Sequence, residues 1–383
     1  MFDVFDNNYR QDVFERSFRE GLELKENGWK VIGVYCAFTP KEIIAAAGAV
    51  PVALCSGSQE PIPEAERHLP RNLCPLIKAT YGHALRNSCP YMAEVDFIFA
   101  DATCDGKKKM FELLGQIKPL YLLQLPQTCG TRASLDYWLE ELRKVSRLTE
   151  QITGVPVTDA ALWEQITLYN RCRKTVNEVF GLNKGRTPLL TGREISAITE
   201  EFAGFECRLE RRIENVERAV SVARQRQDDG RYVTQMMNKP RILLTGCPTT
   251  NNKVLDIIEE ECGAVVVAME NCGGLKTSSF LVAEDGDPMR ALAEKYLHTP
   301  CPCMTPNSAR MDLIEQLVKE FAVDGVVELT WEACHTYHIE THWVKQRLTD
   351  GLGTPYIQIC TDYSQHDTQQ IKLRIEAFLE MIR

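Results

Sequence analysis

Apolar residues follow two rhythms along this chain. Short unbroken apolar runs alternate with longer stretches in which apolar positions recur at helical spacing. The runs fall at residues 31–35, 49–55, 97–100 and 120–125, then at 241–245, 264–269, 325–330 and 355–360. Unbroken runs of this length mark strands buried on both faces, as in a parallel sheet covered by helices. Helical spacing fills the intervals at 41–47, from Cys74 to about His83, and at 107–116. In the last third it returns at 252–261, near 287–297, and at 308–321, 337–348 and 368–382. Residues 1–30 read as an outer helix carrying Val13, Phe14, Phe18 and Leu22. Thr39 is placed to cap the helix that follows, with Pro40 in its first turn and Glu42 at its positive end. Residues 57–69 read as a loop.

Between the two strand-rich regions lie long amphipathic patterns, with Leu135, Trp138, Leu139 and Leu142 followed by Leu162, Ile166 and Tyr169. Breaks fall at Gly154-Val-Pro156 and Gly185–Pro188. The pattern predicts an α/β protein of two Rossmann-like domains with parallel sheets, joined by a helical segment. The expected divisions are 1–133, 134–237 and 238–383. Lys30–Cys36 and Arg241–Cys247 look like the openings of two related units, a repeat of architecture and not of sequence.

Composition narrows the function. The net charge of −9 gives no support to nucleic-acid binding, which needs clustered basic surface. No apolar run approaches the roughly 18–20 residues of a membrane span. The acidic N-terminus lacks the features of a signal peptide, which makes the cytoplasm the expected location. Fifteen cysteines are the informative excess. In a reducing compartment an odd number of thiols points to metal binding or catalysis and away from a disulfide framework.

The placement of these thiols is regular. Cys36, Cys104, Cys247, Cys272 and Cys334 each follow an apolar run. In open α/β sheets, ligands bind just outside the carboxyl ends of the strands. Sulfur-rich sites favour zinc or iron–sulfur clusters over hard cations. No Cys-x-x-Cys pair offers a tight zinc pattern, so any ligands come from distant segments. Cys36, Cys104 and Cys334 are the first candidates. Cys74, Cys272 and Cys303 come next, with Cys301, Cys89 and Cys247 as rivals. Cys55, Cys129, Cys262 and Cys360 look like strand or helix core, and Cys172 and Cys207 sit in helical patterns as ordinary packing residues.

His335 follows Cys334 directly and could donate a proton or a hydrogen bond to sulfur. His338 reads as a surface or capping residue. Lys107–Lys109 reads as a solvated helix face with Lys107 the exception, and Glu332 and Glu42 are acid–base candidates. Gly273-Gly-Leu-Lys276-Thr277 imitates part of a phosphate-binding loop without the required Gly-x-x-x-x-Gly-Lys spacing. No Gly-x-Gly-x-x-Gly follows a strand.

Six segments together resemble a known family: Tyr35-Cys-Ala-Phe-Thr-Pro-Lys-Glu42, Leu69-Pro-Arg-Asn-Leu-Cys-Pro75, Thr103-Cys-Asp-Gly-Lys-Lys-Lys-Met110, Ile242-Leu-Leu-Thr-Gly-Cys-Pro248, Glu270-Asn-Cys-Gly273 and Ala333-Cys-His335. The chain resembles the 2-hydroxyacyl-CoA dehydratase/benzoyl-CoA reductase family over nearly its full length, and within it the double-cubane cluster proteins. The resemblance implies a double-cubane 8Fe–9S cluster, two 4Fe–4S units joined by a sulfide. Cys36, Cys104 and Cys334 would hold one unit; Cys74, Cys272 and Cys303 are assigned to the other from position. It also implies a homodimer fed by an ATP-hydrolysing 4Fe–4S reductase, or activator, and reducing a small-molecule substrate, with His335, Glu332 and Lys107 as candidate catalytic groups. The alternatives are a dehydratase or benzoyl-CoA reductase subunit with a single 4Fe–4S cluster, and an electron-storage protein without turnover.

Overall fold

The computed structural model describes residues 9–55 and 57–382. Two four-stranded sheets dominate it, and every strand pairing in both is parallel. The first holds β1 (Lys30–Tyr35), β2 (Ala49–Ala53), β3 (Phe97–Asp101) and β4 (Leu120–Leu123), in the order β2-β1-β3-β4. The second holds β5 (Arg241–Gly246), β6 (Val265–Glu270), β7 (Gly325–Trp331) and β8 (Tyr356–Thr361), in the order β6-β5-β7-β8. The order is therefore the same in both, as the paired openings suggested. Strands β5, β6 and β7 are buried along their whole length, while the edge strands β4 and β8 are half open. That burial is why they read as unbroken apolar runs.

The first sheet is wrapped by α1 (Tyr9–Glu26), α2 (Lys41–Ala46), α3 (Ile62–Ala65), α4 (Pro75–Arg86), α5 (Pro90–Glu94) and α6 (Asp105–Leu114). The outer helix expected over 1–30 is α1, and residues 1–8 of that expectation lie outside the described residues. Next come α7 (Arg132–Thr153), α8 (Asp159–Gly181), α9 (Gly192–Thr199), α10 (Leu209–Gln225) and α11 (Gly230–Met237). Gly154 ends α7 in the left-handed conformation, and Thr158 caps α8 through its hydroxyl. The second sheet carries α12 (Lys253–Asp256), α13 (Leu275–Ser278), α14 (Pro288–Leu297), α15 (Ser308–Glu320), α16 (His335–Gln346) and α17 (Thr368–Ile382).

Three local expectations are corrected. Pro40, not Thr39, is the N-cap of α2, and the Thr39 hydroxyl instead donates to Asp101 Oδ1 at 2.7 Å. The loop expected over 57–69 contains α3. Cys207 lies in extended chain before α10, not in a helix, within 3.8 Å of an Arg212 nitrogen.

Glu42 is fully buried, bonded to Arg173 of α8 at 2.5 Å and to the Tyr296 hydroxyl of α14 at 2.8 Å. Burial pushes its pKa up, but the guanidinium charge and hydrogen bonds outweigh this and hold it low. Glu42 therefore ties α2, α8 and α14 together and is a structural anion, not the acid–base group considered from sequence.

Glu259 joins α9 to the second sheet. Its carboxyl accepts the backbone N–H of Gly192 (2.6 Å), Arg193 (3.1 Å) and Val266 (3.0 Å). Burial outweighs these donors and pushes its pKa up to about 7. A raised pKa favours the protonated folded state. The contribution is present below the unfolded value of about 4.3 and is lost as pH rises through 7, a swing of about 3 kcal/mol. Urea unfolding of wild type and Glu259→Gln across pH 4–8 should show wild type losing that margin relative to the variant as pH rises. Parallel curves would contradict it.

Candidate metal centre

The two sheets share a topological switch point, between β1 and β3 in one and between β5 and β7 in the other. Neighbouring strands there send their connections to opposite faces, which leaves a crevice at their carboxyl ends. Cys36 follows β1, Cys104 lies beyond β3, Cys247 follows β5 and Cys334 lies beyond β7. The second strands contribute in the same way, with Cys55 beyond β2 and Cys272 beyond β6. The identical strand order makes Cys36 the counterpart of Cys247, Cys55 of Cys272, and Cys104 of Cys334.

Unusual backbone shapes present several of these thiols. Cys36 itself has φ 68° and Ala333, just before Cys334, has φ 55°. A side chain in this left-handed region is uncommon and persists where the surroundings over-determine it. Gly246 precedes Cys247 at φ 108°, and a Cβ there would stand 2.1 Å from the Leu329 carbonyl oxygen, so only glycine fits. Asp101 at the tip of β3 holds the turn after Cys36 by accepting from the Phe38 N–H at 2.9 Å and the Thr39 hydroxyl.

The thiols from both sheets meet. Cys334 lies near the thiols of Cys247 and Cys74, which favour its thiolate and hold its pKa far below the usual thiol range despite burial. Cys74 is pushed up chiefly by that same contact, and Cys247 chiefly by burial. The neighbouring Cys303 favours the Cys301 thiolate, which brings its pKa down to about 7. Cys104 feels the charges of both Cys334 and Cys301, and Cys303 feels that of Cys36. Cys272 feels Cys301 and Cys55. Thus Cys36, Cys104 and Cys334 share one neighbourhood, together with Cys74, Cys272, Cys303, Cys301, Cys247 and Cys55.

Cys272 keeps accessible surface, yet burial, the largest cause, pushes its pKa up to about 11. Lys107 is buried and stands 2.6 Å from Cys36 Sγ. Burial disfavours its ammonium, but the adjoining cysteines, Cys36 first, outweigh this and hold its pKa above the usual lysine value. Among the described residues the buried Tyr35 hydroxyl has no hydrogen-bond partner, and it feels Cys55, Cys89 and Lys107.

Among the described residues, no group of three His, Cys, Asp or Glu stands ready to hold a single metal ion. Soft sulfur donors gathered from both sheets, with the buried Lys107 beside them, suit a multinuclear thiolate-bound cluster better than one zinc.

The other candidates lie elsewhere. His335 and Glu332 are exposed, and Glu332 acts electrostatically on Cys360. Cys55 and Cys360 are exposed, and Cys129 and Cys262 half-buried, so none of the four is the fully packed core residue expected. His338 bridges α16 to β8, with Nε2 3.5 Å from Cys360 Sγ. Cys89 caps α5 by accepting from the Met92 N–H at 3.5 Å. Lys108 and Lys109 form surface pairs with Asp105 and Glu112, the solvated face expected of them.

Residues 36–382, from the first of these thiols to the last helix, match the family model of the 2-hydroxyglutaryl-CoA dehydratase D-component. The chain belongs to this dehydratase family. Across the whole chain and 98% of the relative, it is 40% identical to a putative dehydratase subunit, YjiM, of Escherichia coli strain K12. It is 23% identical to the (R)-phenyllactyl-CoA dehydratase beta subunit of Clostridium sporogenes, over 99% of each chain. A benzoyl-CoA reductase subunit of Thauera aromatica is also 23% identical, over 91% of this chain and 89% of its own length. Dehydratase-family chains thus include subunits named for both CoA-thioester dehydration and reduction. Among the described residues of this member, no helix is long and apolar enough to cross a membrane.

Proposed function

We propose that this chain is a double-cubane iron–sulfur enzyme that reduces a small molecule with electrons delivered by an ATP-hydrolysing 4Fe–4S partner. The observation that carries this reading is the gathering of strand-end thiols from both sheets in one neighbourhood. Cys36, Cys104 and Cys334 would hold one unit, and Cys74, Cys272 and Cys303 the other. Cys301, in contact with Cys303 and with the lower pKa of the two, is the first substitute. When bound, such a cluster accepts single low-potential electrons and passes them to substrate.

The chain's own residues set the conditions for that transfer. Lys107 donates to Cys36 and places a buried positive charge beside the thiols. His335 and Glu332, on the exposed side of Cys334, are where a proton could enter from solvent. A homodimer is the assembly proposed with this reading.

A second reading has support in the relatives' names. Several are subunits of CoA-thioester enzymes. A single 4Fe–4S cluster in a chain paired with a different subunit would fit that pattern. Nine neighbouring thiols exceed what one cubane takes, which favours the first reading. Iron and acid-labile sulfide analysis of anaerobically prepared protein separates the two. About eight irons per chain are expected, about four would leave the single-cluster reading, and colourless protein would refute both.

A further inference from the structure

Thr80 stands in the middle of α4 at 1% exposure, and among the described residues its hydroxyl has no hydrogen-bond partner. Other helical threonines of this chain donate to the carbonyl one turn back, Thr149 to Val145 at 2.7 Å and Thr175 to Arg171 at 2.9 Å. Thr80 does not. A buried hydroxyl left unpaired costs about 1–3 kcal/mol.

Thr80 lines a cavity of about 360 Å³, walled by α1, the end of β2, α4, α5 and the α9–α10 connection. That volume is at the lower end of the range for small-molecule sites, and an apolar cavity of about 150 Å³ already holds one benzene. The cavity reaches Cys55 at the carboxyl end of β2, the end where open α/β sheets place ligands. Phe14 and Tyr91, packed edge to face with ring centroids 5.5 Å apart, form an apolar wall with Leu54 and Met92.

The polar groups of the lining are few and mostly neutral. His83, one turn beyond Thr80, is bonded through Nδ1 to the Ser88 hydroxyl at 2.8 Å, and burial lowers its pKa. Burial likewise pushes the Cys89 thiol up. Glu200, the one carboxylate of the lining, pairs with Arg10 at 3.3 Å. A charged ligand would enter without a free counter-charge, a costly transfer. An apolar body with one polar group suits both the wall and Thr80.

We propose that this cavity binds a small uncharged molecule, one ring or a short chain with a single hydrogen-bonding group, held at that group by the Thr80 hydroxyl. None of the six cysteines assigned to iron lines the cavity, and the site does not depend on the iron–sulfur reading.

The test takes anaerobically prepared full-length protein with phenol as the probe, read by calorimetric titration and by alkylation of Cys55 with N-ethylmaleimide. Phenol should bind saturably with a dissociation constant of about 1 mM or tighter, within what so small a ligand can supply. At about three times that constant it should slow Cys55 alkylation about fourfold, by occupancy, and leave the exposed Cys360 unaffected. Thr80→Val keeps the shape and removes the hydroxyl. It should weaken phenol about threefold or more while benzene binds as before. Benzoate and benzylammonium should each bind at least about tenfold more weakly than phenol.

No saturable phenol binding up to about 10 mM, as for a cavity that takes only water, overturns the proposal. Binding that leaves Cys55 unprotected does the same, since it lies elsewhere. A charged analogue that binds as well as phenol, or phenol binding unchanged in Thr80→Val, overturns the assigned ligand class. Protection of Cys55 in wild type needs no variant and decides the matter even where Thr80→Val fails to fold.

Discussion

Cys334→Ala is expected to lose at least about half of the bound iron while the chain stays folded. Cys334 lies within electrostatic reach of Cys74, Cys247 and Cys104, on segments from both halves of the chain. The direct cost to stability is modest, about 1–2 kcal/mol for the lost contacts. The loss of a donor to a multinuclear centre is far larger. Metal analysis alongside a thermal melt reads both effects. Wild-type iron in a folded Cys334→Ala protein would strike Cys334 from the ligand set and with it the convergence argument.

The largest effect on folding is expected at Arg310. This side chain is fully buried, and its guanidinium pairs with Glu270 (3.1 Å), Glu328 (3.1 Å) and Glu340 (2.6 Å). Burial disfavours its charge, yet the surrounding carboxylates outweigh this and keep it protonated. Arg310→Met would leave three carboxylates in the interior around a thioether. Removing one partner of a buried ion pair costs about 3–5 kcal/mol, a large share of the roughly 5–15 kcal/mol that holds a domain together. Urea unfolding should show a loss of that size, or the variant should accumulate as insoluble protein. Adding Glu328→Gln to Arg310→Met should recover part of the loss by removing one stranded charge. A midpoint within about 0.5 kcal/mol of wild type would show that the carboxylates find other partners.

The strands are legible in the sequence because they are buried on both faces. Ile32 and Val34, Ile98 and Phe99, and Val326 and Val327 are all at or near zero exposure, and such residues print as plain apolar runs. The thiols at the strand tips are legible for the same reason, since a cysteine directly after such a run stands out. Which strand-end thiols meet is not legible. Cys247 and Cys55 rank low on sequence alone, which gives no distance between Cys247 and Cys334, or between Cys55 and Cys272. The matched strand order is the signal that places them. The left-handed backbone at Cys36 and Ala333 is likewise hidden, because neither residue is a glycine. Lys276 is masked because its neighbours imitate a phosphate loop. Only the fold shows that Tyr337 holds its ammonium beside Glu270. Short helices such as α3, α5 and α13 escape notice because four or five residues carry too little periodicity to register.

The matched strand order also bears on ancestry. A half-length forebear with cysteines at the tips of its first three strands, facing a second copy of itself, would already present six sulfur donors to a shared space. Joining the copies into one polypeptide lets each set drift on its own. The two halves of this chain now differ: Lys107, after β3, touches Cys36 directly, while Lys276, after β6, is held by Tyr337 and pairs with Glu270.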